Sequence, residues 1–320
     1  MKILLLGKNG QVGWELQRSL APLGEVQALD RHSTHYCGDL SKPEELVQTV
    51  LAYKPDFIVN AAAHTAVDKA ESEPELAKVL NTDAPAALAK ASAQVGGWLV
   101  HYSTDYVFAD TKQIAYLETD IAGPVEQLSV YGQSKLAGEK AIEEAFNLAH
   151  DSGHTQYADK FSRYFILRTS WVYGDGGNFI RTMLRLAGER DQLKVVADQI
   201  GVPSSAQWLA EVGLQMAGSR VESGIYHAVP DGETSWHGLA DFEIKAAATE
   251  GEGIDRKSEN ILPIPAIDYP LPAKRPYNSR LNNTKLKQAL SEMAFTGQYP
   301  HWQEQVEAYV KDYVTSSLKS

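Results

Sequence analysis

An α/β protein is expected from this sequence: a doubly wound parallel sheet followed by a second, smaller α/β unit. Short apolar runs recur at 3–6, 26–29, 57–59, 98–100, 165–167 and 193–196, separated mostly by amphipathic segments of helical length. Strands and helices in alternation pack as a parallel sheet with helices on both faces. Glycines gather where the first run ends, a place where such sheets hold ligands. Beyond about Val172 the alternation loosens, and Pro263, Pro265, Pro270, Pro272 and Pro276 crowd a stretch unfit for a central strand or helix. The expected division is 1–172 for the first unit, with a segment around 193–222 returning to it, and 173–320 for most of the second.

The first strand runs into GKNGQVGWELQRSL, placing Gly7, Gly10 and Gly13 where strand becomes helix. Backbone amides there can approach a dinucleotide pyrophosphate at the positive helix end. A tight turn needing positive φ would also account for the triplet. The second strand ends at Asp30, about 20 residues past Gly7, where a carboxylate accepts hydrogen bonds from an adenosine ribose. A turn or helix cap is the alternative. Asp30 would repel a 2′-phosphate and favour NADH, whereas Arg31 would pair with that phosphate and favour NADPH, so both cofactors stay open.

In CGDLS, Asp39 and Leu40 sit where adenine would lie, and Pro43 suits the first turn of the helix PEELVQTVLAYK. The third strand leaves through NAAAHTAVDKAE. Its Ala61, Ala62 and Ala63 allow a cofactor close to the backbone, or simply close packing of helix on sheet. A helix from Ala84 leads to the fourth strand, which ends in HYSTDYVF with Ser103, Thr104 and Asp105 at its carboxyl end. The helix YGQSKLAGEKAIEEAF follows from Tyr131, and residues 147–163 read as an exposed loop before the fifth strand.

Tyr131 and Lys135 stand about one helical turn apart, so both side chains reach one pocket. Reducing a ketone with a nicotinamide requires an acid to protonate oxygen as hydride reaches carbon. A phenol with a pKa of about 10 serves poorly unless an ammonium favours its anion. The spacing alone also fits a solvated helix face. Thr104, at a ligand-binding strand end upstream, favours the catalytic reading because its hydroxyl can donate to the same carbonyl.

The formal charge of −11 disfavours nucleic acid and anionic membranes as partners. With Cys37 alone, no disulfide can close within the chain. The apolar run after Lys2 is too short for a signal peptide and no long apolar span follows, so a cytoplasmic protein is expected. Zinc-protease, P-loop and serine-esterase patterns are absent from the sequence.

The segments GKNGQVG, NAAAHTAVDKAE, HYSTDYVF, YGQSK and RTSWVYG, in this order, resemble the extended short-chain dehydrogenase/reductases. The likeness continues through NFIRTMLRLA, DQIGVPSS, GIYHAV, TSWHGLA and RPYNSRLN, so it covers nearly the whole chain. The resemblance implies a Rossmann fold and NAD(P)H-dependent reduction of the 4-keto group of a small dTDP-linked sugar. It implies Thr104, Tyr131 and Lys135 as the catalytic set, with Lys135 also holding the nicotinamide ribose. It implies Gly7, Gly10, Gln11, Val12, Asp30, Asp39, Leu40, Ala61, Ala62 and Ala63 as the cofactor lining. For the sugar nucleotide it points to Val67, Trp236 and Arg275 beside Thr104 and Asp105, the arginine's paired donors suiting a diphosphate. A structural ion pair for Arg275 and a core position for Trp236 are the alternatives. Asn178 would cap the helix after it, or touch the ligand. Some family members form a magnesium-bridged homodimer through carboxylates matching Glu15, Glu189 and Asp191, positions that also read as solvated acidic helix ends. The loop 147–163 and the EQLSVYG stretch before Tyr131 look longer than the family's usual. The rivals are another nucleotide-sugar ketoreductase or epimerase, and a non-catalytic subunit of the kind that regulates methionine adenosyltransferase. The intact Thr104, Tyr131 and Lys135 set argues against the last.

Overall fold

Both faces of the central sheet are covered, which is why its strands read as unbroken apolar runs. The computed structural model describes residues 1–151, 163–217, 221–250, 260–291 and 299–317. In chain order it begins with β1 (Lys2–Leu6), α1 (Gln11–Leu20), β2 (Glu25–Leu29), α2 (Pro43–Tyr53), β3 (Phe57–Asn60), the short α3 (Val67–Ala70) and α4 (Pro74–Lys78). There follow α5 (Ala84–Val95), β4 (Trp98–Thr104), α6 (Val130–Asp151), β5 (Tyr164–Thr169), β6 (Val172–Tyr173), α7 (Phe179–Glu189), β7 (Leu193–Val196), β8 (Ile200–Gly201) and β9 (Ser204–Ser205). The chain continues through α8 (Ala206–Met216), β10 (Gly224–His227), β11 (Thr234–Ser235), α9 (Trp236–Glu250), β12 (Ile261–Ile264), α10 (Thr284–Ser291) and α11 (Trp302–Ser317).

Among the described residues, six strands form one parallel sheet in the order β10-β5-β4-β3-β1-β2. Side chains along β1 divide between its faces. Ile3 and Leu5 join Leu16 and Leu20 of α1 and Leu209 and Met216 of α8, whereas Leu4 and Leu6 join Leu46 and Val50 of α2, Leu88 of α5 and Ile142 of α6. The winding reverses between β1 and β3, leaving at their carboxyl ends the crevice in which doubly wound sheets bind ligands. A further cluster unites Ile180 of α7, Leu239 and Ile244 of α9 and Val306 and Val310 of α11, and reaches the sheet through Val107 and Phe108, just past β4.

Two expectations change. The run at 193–196 is a strand, β7, but it pairs with β12 outside the large sheet. The sixth place goes to β10, just past the segment expected to return, whose Gly224 and His227 weakened its apolar signal; α8, inside that segment, does pack against α1. Pro263 is tolerated in β12 because this strand has only one neighbour. The helix α6 runs to Asp151, so residues 147–151 are helical rather than loop, and 152–162 lie outside the described residues. No helix among the described residues is long and apolar enough to cross a membrane.

A buried ion pair ties α6 to the sheet. Arg168 of β5 meets Glu139 of α6 at 2.6 Å, and the Ser103 hydroxyl of β4 donates to the same carboxylate. Near the start of α6, Gly132 permits close approach, since a Cβ there would lie 2.3 Å from the Tyr106 carbonyl oxygen.

Candidate active site

The crevice is formed where β1 and β3 end. Gly7 has φ +87°, and a Cβ on it would meet Ala62 N at 2.8 Å, so only glycine lets the loop lie against the alanines. Gly10 N donates to Gly7 O at 2.9 Å, and Gly10 stands as N-cap before Gln11 and Val12 of α1. Gly13, Ala61 and Ala62 also border Gly7, and the neighbouring Ala63 is half-buried. Gln11 Oε1 is buried without a partner among the described residues, a condition a bound dinucleotide would relieve.

Asp30 accepts from His32 N at 2.9 Å, Ser33 Oγ at 3.1 Å and Asn9 Nδ2 at 2.6 Å, with Lys8 Nζ at 3.8 Å. Burial works to raise its carboxyl, but the hydrogen bonds of His32, Ser33 and Asn9 and the Lys8 charge outweigh it and hold the group below its ordinary range. Lys8 and Asn9 were passed over in the sequence because only the curl of the glycine loop brings them to Asp30. Arg31 lies exposed, its Nε donating to His32 Nε2. The fold itself employs the next two expected residues: Asp39 accepts from Ser41 N and Oγ in a turn, and Leu40 is buried in the core.

Thr104 ends β4 with its hydroxyl donating to Asp105 Oδ1 at 3.0 Å and accepting from Tyr106 N at 3.2 Å. Tyr131, in the first turn of α6, is buried edge-on to the Tyr106 ring at 5.4 Å. Burial pushes its phenol well above the ordinary value, a hydrogen bond with Thr104 pulls it down, and the Asp105 carboxylate adds to the rise. Burial likewise pushes Asp105 up to about 6 against hydrogen bonds from Ser279 and Thr104. Asp105 Oδ2 has no partner among the described residues.

One turn along α6, Lys135 is also buried. Its Nζ donates to Tyr102 O at 2.6 Å and lies 3.0 Å from His101 Nε2, whose ring in turn meets Asn60 Nδ2 at 3.1 Å. Burial lowers the lysine to about 8, against the pull of Glu139. The lysine nitrogen is thus engaged with the carboxyl end of β4. Asn60 and His101 escaped notice because they meet only through the β3–β4 register, in which they are partners.

The expected sugar-nucleotide residues divide. Val67 and Tyr106 pack with Tyr131. Arg275 is ion-paired with Asp68 at 2.7 Å, and Asp68 also accepts from Ala273 N, so the proline-rich segment is tied to α3. A shallow cleft lined by Tyr106, Gln127, Ser129, Lys274 and Pro276 runs between that segment and the start of α6. Trp236 stacks on Trp171 at 3.7 Å and packs against the cluster of α7, α9 and α11. Asn178 caps α7, accepting from Arg181 N at 3.0 Å.

The metal expectation finds no site within one chain. Glu15 is paired with Arg18 and Glu189 with Arg185, each an arginine of its own helix, and no three His, Cys, Asp or Glu converge, Asp191 included, among the described residues.

Residues 1–315 match the family model described as the RmlD substrate binding domain. A dTDP-4-dehydrorhamnose reductase from Shigella flexneri is 47% identical over 322 residues, covering 99% of this chain and 99% of its own. Another, from Salmonella typhimurium, is 50% identical over 292 residues, covering 90% of this chain and 91% of its own. The solved dTDP-4-dehydrorhamnose reductase of Bacillus anthracis, in complex with NADP, superposes with a TM-score of 0.79 at 32% identity, covering 96% of this chain and 97% of that one.

Proposed function

The chain belongs to the RmlD substrate binding domain family, and we propose that it is an NAD(P)H-dependent oxidoreductase that reduces the 4-keto group of dTDP-4-dehydro-L-rhamnose to give dTDP-L-rhamnose, the last step of dTDP-L-rhamnose biosynthesis. Full-length relatives named for that reaction support the substrate. The observation that carries the chemistry is that Tyr131, buried in the first turn of α6, stands beside Thr104 at the carboxyl end of β4.

Gly7, Gly10, Gln11, Val12 and Gly13 would hold the cofactor pyrophosphate, with Ala61, Ala62 and Ala63 as its floor and Asp30, Lys8 and Arg31 at the adenosine ribose. When bound, the nicotinamide supplies the hydride that reaches carbon 4. Thr104, turning its hydroxyl from Asp105 Oδ1, donates a hydrogen bond to oxygen 4, and Tyr131 gives that oxygen its phenolic proton as negative charge develops there. Burial disfavours the phenolate, so the proton stays on Tyr131 until a stronger base, the forming alkoxide, is beside it.

In this reading residues 1–172, with α8 and β10, serve the cofactor, while most of the rest of 173–320 walls the sugar nucleotide, with Asp105, Val67, Trp236 and Arg275 in contact with it. Soluble nucleotide reactants suit the cytoplasm. A homodimer bridged by magnesium at Glu15, Glu189 and Asp191 would need a second chain to complete the site; sedimentation with and without chelator tests it. The activity is tested by supplying dTDP-4-dehydro-6-deoxyglucose, the pathway epimerase and NADPH or NADH, and following cofactor absorbance. Cofactor oxidation dependent on this protein is expected. Turnover of UDP-sugars alone would move the reading to another nucleotide-sugar ketoreductase.

A further inference from the structure

The first turn of α6 carries Tyr131 and lies against the segment that follows β3. A helix leaves its first amides without partners inside the helix, and a side chain at its start normally takes them. Here Ser129 Oγ accepts from Gly132 N at 3.2 Å. The amide before Tyr131, Val130 N, donates instead to Glu71 Oε1 at 2.9 Å, across 59 residues of sequence. The third residue of a helix often supplies a carboxylate that reaches back to the helix start. In α6 that residue is Gly132, so close to the Tyr106 carbonyl oxygen that it has no room for a Cβ, and the carboxylate comes from outside the helix. Glu71 sits directly after α3, whose Ala70 and Val67 pack with Tyr131. One short element thus packs on Tyr131 and holds the amide before it.

We infer that Glu71 is a positioning residue for Tyr131: its carboxylate pins the start of α6, so that the phenol stays beside Thr104 while a carbonyl oxygen is protonated. This rests on the reading of Tyr131 as the acid. Helix ends fray, and Tyr131 is the second residue of this helix. Ser134 Oγ donates to Tyr131 O at 2.8 Å, but that bond lies within α6 and does not tie the turn to its surroundings. Lys135, one turn further on, is held by its own contacts with Tyr102 O and His101. Loss of Glu71 therefore releases Tyr131 and leaves Lys135 and the glycine loop in place, so kcat falls while cofactor binding persists. A misplacement of about 1 Å is worth up to about a hundredfold in rate. Reach, and not charge, is what the contact needs. Glu71→Gln keeps an acceptor oxygen at the same distance from the backbone, whereas Glu71→Asp keeps the charge and draws it back by one methylene.

Amide hydrogen exchange of Val130 in the unaltered protein reads the contact itself. Exchange there should be slow for a first-turn amide, and should become fast in Glu71→Ala and Glu71→Asp but not in Glu71→Gln; fast exchange in the parent overturns the proposal. Tyrosine-ring signals, with Tyr131 assigned through Tyr131→Phe, should move in Glu71→Ala and return in Glu71→Gln. These two readings hold whatever the substrate. If the parent reduces no dTDP-sugar, the reductase reading fails, while the amide and the ring still decide whether Glu71 places Tyr131. With substrate, Glu71→Ala should lower kcat about tenfold to a hundredfold with NAD(P)H affinity little altered, and Glu71→Gln should restore most of it. In the Tyr131→Phe background Glu71→Ala should add no further loss, because Glu71 acts through the phenol. A further loss of the same factor there, as a merely structural role would give, contradicts the account. So does a kcat kept by Glu71→Asp and lost in Glu71→Gln.

Discussion

As the proposed acid, Tyr131 would give up a proton that its surroundings work to retain, so its contribution would be to the rate and not to binding. Tyr131→Phe should leave NAD(P)H affinity nearly unchanged while lowering kcat by a factor of about 10² to 10⁴, the usual worth of a positioned acid. Steady-state kinetics beside a fluorescence titration of cofactor would check it, and near-parental turnover would remove Tyr131 from the chemistry. Asp30 permits a second forecast. Its carboxylate is shared with Lys8 and Asn9 and flanked by Arg31. In Asp30→Ala the proposed ribose acceptor disappears while the cations remain, so the ratio of kcat/KM for NADH over NADPH should fall. An unchanged ratio would place the ribose elsewhere.

Among the elements, α9 carries a conflict within the fold. Glu243 is buried, both carboxylate oxygens lack partners among the described residues, and burial raises its pKa well above the carboxylate range. The folded state thus binds a proton that the unfolded chain releases near its ordinary value, and stability is lost as pH rises from there toward the folded value. Glu243→Gln should leave thermal stability nearly unchanged at acid pH and increase it at pH 8, by about 1.4 kcal/mol for each pH unit separating the unfolded and folded pKa values. Melting curves at the two pH values decide; equal effects at both would mean the carboxyl is not the cause. By contrast, Glu139 is satisfied by Arg168 and Ser103, and Glu139→Gln should cost about 3–5 kcal/mol by leaving Arg168 buried and unpaired. Chemical denaturation measures that loss.

Elements of this kind were unequally visible beforehand. The strands β1, β3, β4 and β5 announced themselves because both faces are buried and each contains an unbroken apolar run. β10 did not, because it starts at a glycine and ends at a histidine that the fold buries against Asn282 O. Thr104, Tyr131 and the glycine loop were legible because each lies within a local pattern of strand end or helix turn. His101 with Asn60, and Asp68 with Arg275, were not: these pairs are 41 and 207 residues apart, and only the assembled sheet and loops bring them together.

For the molecule as a whole, the division of labour turns on Arg275, since its segment closes over α3 beside Val67. Arg275→Ala should raise the KM for the dTDP-sugar more than about tenfold, the loss of a charge-assisted contact worth about 1.5–3 kcal/mol, with NAD(P)H affinity little altered. Asp68→Asn, which frees the arginine from its ion pair, should not raise that KM. If both variants lose sugar affinity alike, the pair is a structural tie and the diphosphate lies elsewhere. The central claim, hydride delivered to carbon 4 of a dTDP-linked keto sugar, is tested most directly with NADPH deuterated at the transferable position. Incubated with the protein and dTDP-4-dehydro-L-rhamnose, it should yield dTDP-L-rhamnose carrying deuterium at carbon 4, read by mass and proton spectra. Product labelled at another carbon, unlabelled product, or no product with either cofactor would contradict the account.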